Sequence, residues 1–170
     1  NQVDKILDGG LYAGLYCIGA VSSLGKTTWM LQVADQIAQA GHDVLFFSLE
    51  MDANEVKSKS ISRETLLGEL RQGRSRDELL GSTAMTTRGI MTGKRYKHYS
   101  EAQKQAIKDA ITAYAGYAKN IYFKVGLGNT DYTAIRQCVD EHIARTGRAP
   151  VVFIDYLQIL APNDVRATDK

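Results

Sequence analysis

The residues Gly25-Lys26-Thr27-Thr28, within the stretch GAVSSLGKTTW from Gly19 to Trp29, narrow most what this chain can fold into. They follow a short apolar run, LYCIGAV from Leu15, and open a run in which Met30, Val33, Ala34, Ile37 and Ala38 share one helical face. A strand, a tight turn and a helix in that order gather backbone N–H groups and the positive end of a helix around one point, which is an anion-binding geometry. Gly25 lets the backbone wrap a phosphate, and the N–H groups of Ser22, Ser23, Leu24 and Gly25 are expected to point inward. Lys26 is placed to reach the β- and γ-phosphates of a nucleotide, the Thr27 hydroxyl to hold Mg²⁺, and Thr28 to bond a phosphate oxygen nearer the ribose. Measured against G-x-x-x-x-G-K-[ST], Ala20 stands where the first glycine belongs. The plain alternative is a strand-turn-helix junction that needs a glycine and happens to carry a lysine.

Three further runs have strand length and near-continuous apolarity: VLFFSL from Val44, IYFKV from Ile121 and VVFI from Val151. Such runs suit strands covered on both faces, as in parallel sheets. Helical patterns lie between them. Thr27 to Ala40 ends before Gly41; Asp52 with Glu55 resembles a capping box opening a helix to about Gln72; Ser100 with Gln103 opens another to about Lys119. Asn129 or Thr130 is expected to cap a fourth, with Ile135, Val139 and Ile143 on its inner face. Alternating strand and helix predicts an α/β fold with a mainly parallel sheet and right-handed crossovers. Residues 81–100 are polar, contain three glycines and lack periodicity, and are expected to form a long loop.

With 170 residues and 44% apolar content the chain suits one domain with a real core. Lys plus Arg number 21 against 19 for Asp plus Glu, so any case for nucleic acid or membrane as a partner must be local. Cys17 and Cys138 have neither framework nor zinc spacing and are expected to be small buried residues, in keeping with a reducing cytosol. His42, His98 and His142 are scattered. The chain starts at Asn1 and stops soon after a strand-like run, which is expected of a piece of something longer.

Two acids complete the chemical pattern. VVFIDYLQ delivers Asp155 to the C-terminal end of a strand, as a Walker B segment does, where ligands bind in open α/β sheets. VLFFSLEM delivers Glu50 to the end of the strand after the phosphate-loop helix, where a carboxylate can take a proton from an attacking water. Each has an ordinary alternative as a strand-end or capping residue.

The order LDGGLYAGLYCIGA, SSLGKTT, FFSLEM, SISR and VVFIDYLQIL resembles the C-terminal ATPase domain of DnaB-type replicative DNA helicases, a RecA-like P-loop group, over residues 4–63 and 120–162. The family commonly has alanine where Ala20 stands. The resemblance implies a truncated RecA-like fold that binds ATP and Mg²⁺, with Lys26 and Thr27 on phosphate and metal, Glu50 as catalytic base and Asp155 on the metal. It implies single-stranded DNA as partner and a homo-hexameric ring in the full-length protein. The neighbour's arginine, the DNA-contacting loops and the last strands of the family follow the Walker B strand, so this chain is expected to lack them. Arg63 and Gln158 fall on family-like positions without a role that chemistry assigns.

One departure lies at residues 81–105, which look longer than the family's usual connection. Arg88, Lys94, Arg95 and Lys97 occur there without an acid between Glu78 and Glu101, interleaved with Tyr96 and Tyr99. Such a mixture can contact single-stranded DNA through phosphates and stacking; a solvated basic loop is the alternative. Three functions remain open: a helicase motor, a RecA-like ATPase that loads or remodels without unwinding, and a nucleotide-binding interaction module that hydrolyses nothing.

Overall fold

In the computed structural model, which describes residues 5, 7–21, 23–73, 85–125 and 130–156, three of the apolar runs form parallel strands. These are β1 (Val44–Ser48), β2 (Ile121–Val125) and β3 (Val151–Asp155), in the spatial order β2-β1-β3. Helix α1 (Lys26–Gln39) precedes β1, while α2 (Ala53–Arg71), α3 (Thr87–Thr92), a 3₁₀ turn (Tyr96–His98) and α4 (Glu101–Ala118) connect β1 to β2. Helix α5 (Tyr132–Thr146) carries the chain from β2 to β3. This is the parallel α/β architecture that the alternation predicts.

β1 occupies the centre and is buried at all five positions, which explains why its sequence is apolar without alternation. Its two faces enter two cores. Val44 and Phe46 pack with Leu31, Ala34, Ala38, Val56, Tyr114 and Tyr117 from α1, α2 and α4. Leu45 and Phe47 pack with Ile135 of α5 and with Tyr122, Val139 and Ile154. The sheet is therefore sandwiched between three helices and one.

Local signals set the helix starts. Asp52 accepts from the N–H groups of Asn54 and Glu55, and Ser100 and Gln103 form a reciprocal capping box, each supplying partners for otherwise orphaned N–H groups. Helix α5 starts at Asp131, whose carboxylate accepts from Ala134 N–H, rather than at Asn129 or Thr130; Asn129 lies outside the described residues. Inside α1 the buried stripe is Leu31, Ala34, Asp35 and Ala38, rotated from the expected face by including an acid. In α5, Ile143 is exposed and His142 is buried in its place, 3.0 Å from Asp43 Oδ2.

Three further expectations fail. Leu15–Val21 forms no strand: Leu15 is 92% and Val21 70% exposed, and the sheet ends at β3 among the described residues. Apolar side chains favour a strand, but one forms only where a neighbour completes its ladder of hydrogen bonds. Cys17, on this segment, is accordingly exposed rather than buried. Within 81–100, the described part holds α3 and the 3₁₀ turn instead of an uninterrupted loop, because Thr86 caps α3 through Gly89 N–H and Gly93 ends it with φ 59°.

Candidate active site

The C-terminal rim of the sheet is assembled by the ladder itself. Ser48, the last residue of β1, pairs in register with Asp155, the last residue of β3. The next amide, Leu49 N–H, donates to Asp155 carbonyl oxygen at 2.9 Å. Immediately beyond, the Ser48 hydroxyl donates to Met51 carbonyl oxygen at 2.6 Å and accepts from Met51 N–H at 3.3 Å. That clasp and the Asp52 cap fold the chain into a turn with Glu50 exposed between them. Glu50 and Asp155 thus leave adjacent strands, which lie ~4.8 Å apart in a sheet, at the same rim.

The phosphate-loop candidate reaches this rim from α1. Gly25, at φ 86°, is the residue before the helix, a left-handed conformation that favours glycine. Ser23 also has positive φ, 65°, and Leu24 is 71% exposed. Lys26 Nζ donates to the carbonyl oxygens of Ala20 at 2.9 Å and Val21 at 3.4 Å, so its amine lies over the loop. The Thr27 hydroxyl donates to Asp155 Oδ2 at 2.7 Å across 128 positions of sequence. Asp155 is 2% exposed, a burial that a carboxylate tolerates only with partners. Thr28 is exposed one residue further along α1. Ser22 and Gln158 lie outside the described residues.

Of the predicted residues, the structure brings together Thr27 and Asp155 and puts Glu50 on their rim. A hydroxyl and a carboxylate in contact are hard oxygen donors of the kind Mg²⁺ takes beside phosphate oxygens and water. Arg88, Lys94 and Arg95 line one cavity beside α3, whereas Lys97 sits on the 3₁₀ turn outside its lining. They belong to the connection between β1 and β2.

Sequence reasoning missed a buried ionic cluster behind the loop helix. Arg63 Nη2 of α2 lies 2.6 Å from Asp35 Oδ2 of α1, an ion pair between two helices. Glu64 is buried beside it, accepting from the Tyr117 hydroxyl at 3.0 Å, from Gln39 at 3.3 Å and from Arg71 at 3.2 Å. Burial pushes the Asp35 carboxyl up to about 6, with Arg63 opposing; burial, aided by Asp35, pushes the Tyr117 hydroxyl up. The available signal was Asp35 itself, an acid on the helix face that also carries Leu31, Ala34 and Ala38. The cluster also gives Arg63 a place: it ties the loop helix to the helix that starts just after Glu50.

Comparison with known proteins bears on the family and the fold. The profile of the DnaB-like helicase C terminal domain matches residues 1–170. Two DNA repair proteins RadA are similar over shorter stretches: that of Helicobacter pylori is 32% identical over 71 residues, 41% of this chain and 16% of its own length. That of Campylobacter jejuni is 36% identical over 61 residues, 35% of this chain and 14% of its own. Among solved structures, one ATPase domain superposes with a TM-score of 0.65 at 21% identity, over 85% of this chain and 43% of that one. A DnaB-like replicative helicase, solved in a study of its interactions with primase, gives 0.64 at 21% identity, over 86% of this chain and 30% of that one. The chain thus spans less than half of each of these relatives, and its parallel sheet flanked by helices is RecA-like. With the whole chain matched by that profile, it belongs to the family of DnaB-like helicase C-terminal domains.

Proposed function

We propose that the chain is the ATP-binding and hydrolysing motor domain of a replicative-type DNA helicase. In the full-length cytosolic hexamer it couples hydrolysis to movement along single-stranded DNA. The observation that carries this reading is the 2.7 Å bond between Thr27 and buried Asp155. A hydroxyl at a helix start and a carboxylate at a strand end, meeting beside a glycine turn, suit a cation shared with a nucleotide phosphate. Thr27 and Asp155 would hold Mg²⁺, which when bound neutralises charge on the β- and γ-phosphates.

The chain's own groups do the rest. Backbone N–H groups of Ser23, Leu24 and Gly25, with Ser22 before them, cradle phosphate oxygens, and Thr28 bonds one nearer the ribose. Lys26 exchanges the carbonyl oxygens of Ala20 and Val21 for phosphate oxygens, which form stronger charge-assisted bonds. Glu50, exposed at the rim, accepts the proton of the attacking water as general base. The basic residues Arg88, Lys94, Arg95 and Lys97 contact the single strand.

Glu50→Gln tests the assignment. Turnover is expected to fall by roughly 10²-fold or more, with ATP affinity, measured by titration calorimetry, changed little; unaltered turnover rules Glu50 out as the base. The similarity to two DNA repair proteins favours a second reading, an ATPase that remodels DNA complexes without unwinding. A strand-displacement assay on the full-length protein separates the two, since only the helicase releases the displaced strand.

A further inference from the structure

We infer that residues 85–99 build a second phosphate-binding site, apart from the glycine loop, in the cavity beside α3 that Arg88, Lys94 and Arg95 line. The inference deepens the reading of this segment as a contact for single-stranded DNA by naming the site and the group it takes. It does not depend on the nucleotide chemistry at Lys26.

The enclosure is built rather than incidental. Its start is pinned to α2: Ser62 donates to Met85 carbonyl oxygen at 2.6 Å, and Met85 N–H donates to Thr65 at 2.9 Å. Thr86 then caps α3, and Gly93, at φ 59°, turns the chain so that Lys94 and Arg95 come back to line the same cavity as Arg88 and Thr92. The Tyr99 hydroxyl lies 2.7 Å from where a side chain at Gly89 would begin, so the side chain of the returning segment reaches α3.

The resulting cavity has a volume of about 380 Å³ and, among the described residues, no carboxylate in its lining. Among the described residues, Arg88, Lys94 and Arg95 have no acidic partner, although Glu101, Glu64 and Asp43 elsewhere all take cations. Arg88, Lys94 and Arg95 are exposed at the rim of this cavity, and like charges that line one cavity favour an anion between them. Two arginines favour phosphate, whose oxygens match the guanidinium fork, and three positive charges favour a multiply charged group over a lone carboxylate. An adjoining cavity of about 500 Å³ between α2 and α3 is lined by Lys59, Arg88 and Glu55 among the described residues. It extends the cationic surface from α3 to α2.

The phosphate can come from the backbone of a single strand or from a free polyphosphate, and two arms distinguish these. Both use the full-length protein carrying Lys26→Ala, which silences the glycine loop whether or not that loop binds nucleotide. In the first, fluorescence anisotropy follows a labelled oligothymidylate as salt is raised. Replacing Arg88, Lys94 and Arg95 together by Gln is expected to weaken binding at least tenfold and to reduce the slope of log K against log salt by roughly 2, at about 0.7 per phosphate contact. In the second, calorimetry with pyrophosphate reads the free-anion source, and the same triple variant is expected to abolish any heat of binding. An effect in either arm supports the site and names its source. Lys108, Lys119 and Arg136, exposed and outside the cavity, replaced together by Gln serve as the charge-matched control: a loss equal to that of the first triple variant means diffuse charge and overturns the inference. No loss in either arm, with urea midpoints unchanged, overturns it as well.

Discussion

Phe46 is fully buried at the middle of the central strand, its ring stacked on Phe153 at 5.8 Å and tilted against Phe123 at the same centroid distance. The three are ladder partners, so one row of rings crosses the sheet. Phe46→Ala removes the middle ring from a close-packed row and is expected to cost about 3–5 kcal/mol, read as a lowered urea midpoint with an unchanged slope. Phe46→Leu refills most of that volume and is expected to recover more than half of the loss. Single residues are the most legible level of the sequence where chemistry fixes backbone form. Gly25 sits before a helix with positive φ as the loop pattern requires. Asp155 is readable because four apolar residues before an acid suit a buried strand ending at a polar rim. Asp35 and Glu64 are not, because a buried acid is explained only by its partners, and Arg63 and Tyr117 lie far along the chain from Asp35.

Between helices, those partners act as one unit. Asp35 on α1, Arg63 and Glu64 on α2 and Tyr117 on α4 meet behind the loop helix, with Ser60, Gln39 and Arg71 around them. The Asp35 carboxyl is held at about 6 against an ordinary 3.8, so burial penalises its charged form. A raised folded-state value means that the native state takes up the proton first. This group therefore destabilises the fold above about pH 6, and that cost is relieved as pH falls through 6 toward 3.8. Its full span is worth about 3 kcal/mol. Asp35→Asn removes the titration, so the stability of the natural chain relative to this variant is expected to rise as pH is lowered from 7.5 to 4.5. Urea unfolding across that range checks it; a difference independent of pH rejects the assignment. Helix boundaries, by contrast, are readable wherever a cap is encoded in a few residues, as at Asp52 and Ser100. The start of α5 falls a residue or two beyond the expected position because Asn, Thr and Asp occur in a row and each can cap.

For the whole molecule, the parallel sheet and its rim are legible, and the extent of the sheet is not. Val44, Ile121 and Val151 open runs whose apolarity matches strands covered on both faces, yet β3 bounds the sheet among the described residues, and Val151 and Val152 are 41% and 36% exposed. Leu15–Val21 is as apolar but has no ladder, and composition does not tell the two cases apart. An apolar edge strand is a template for association. The 170-residue chain is expected to self-associate as its concentration rises, and Val152→Lys to shift sedimentation toward the monomer; identical profiles would show that this edge is not the contact. The pairing of Ser48 with Asp155 carries a further consequence. Adjoining backbones fix where β1 and Asp155 end, and the Ser48–Met51 clasp with the Asp52 cap sets the turn at Glu50, so α3 and α4 contribute nothing to that arrangement. Residues around α3 can vary while Glu50 and Asp155 keep their places at the rim. A domain arranged in this way can change its surface around α3 without moving the acids at its rim.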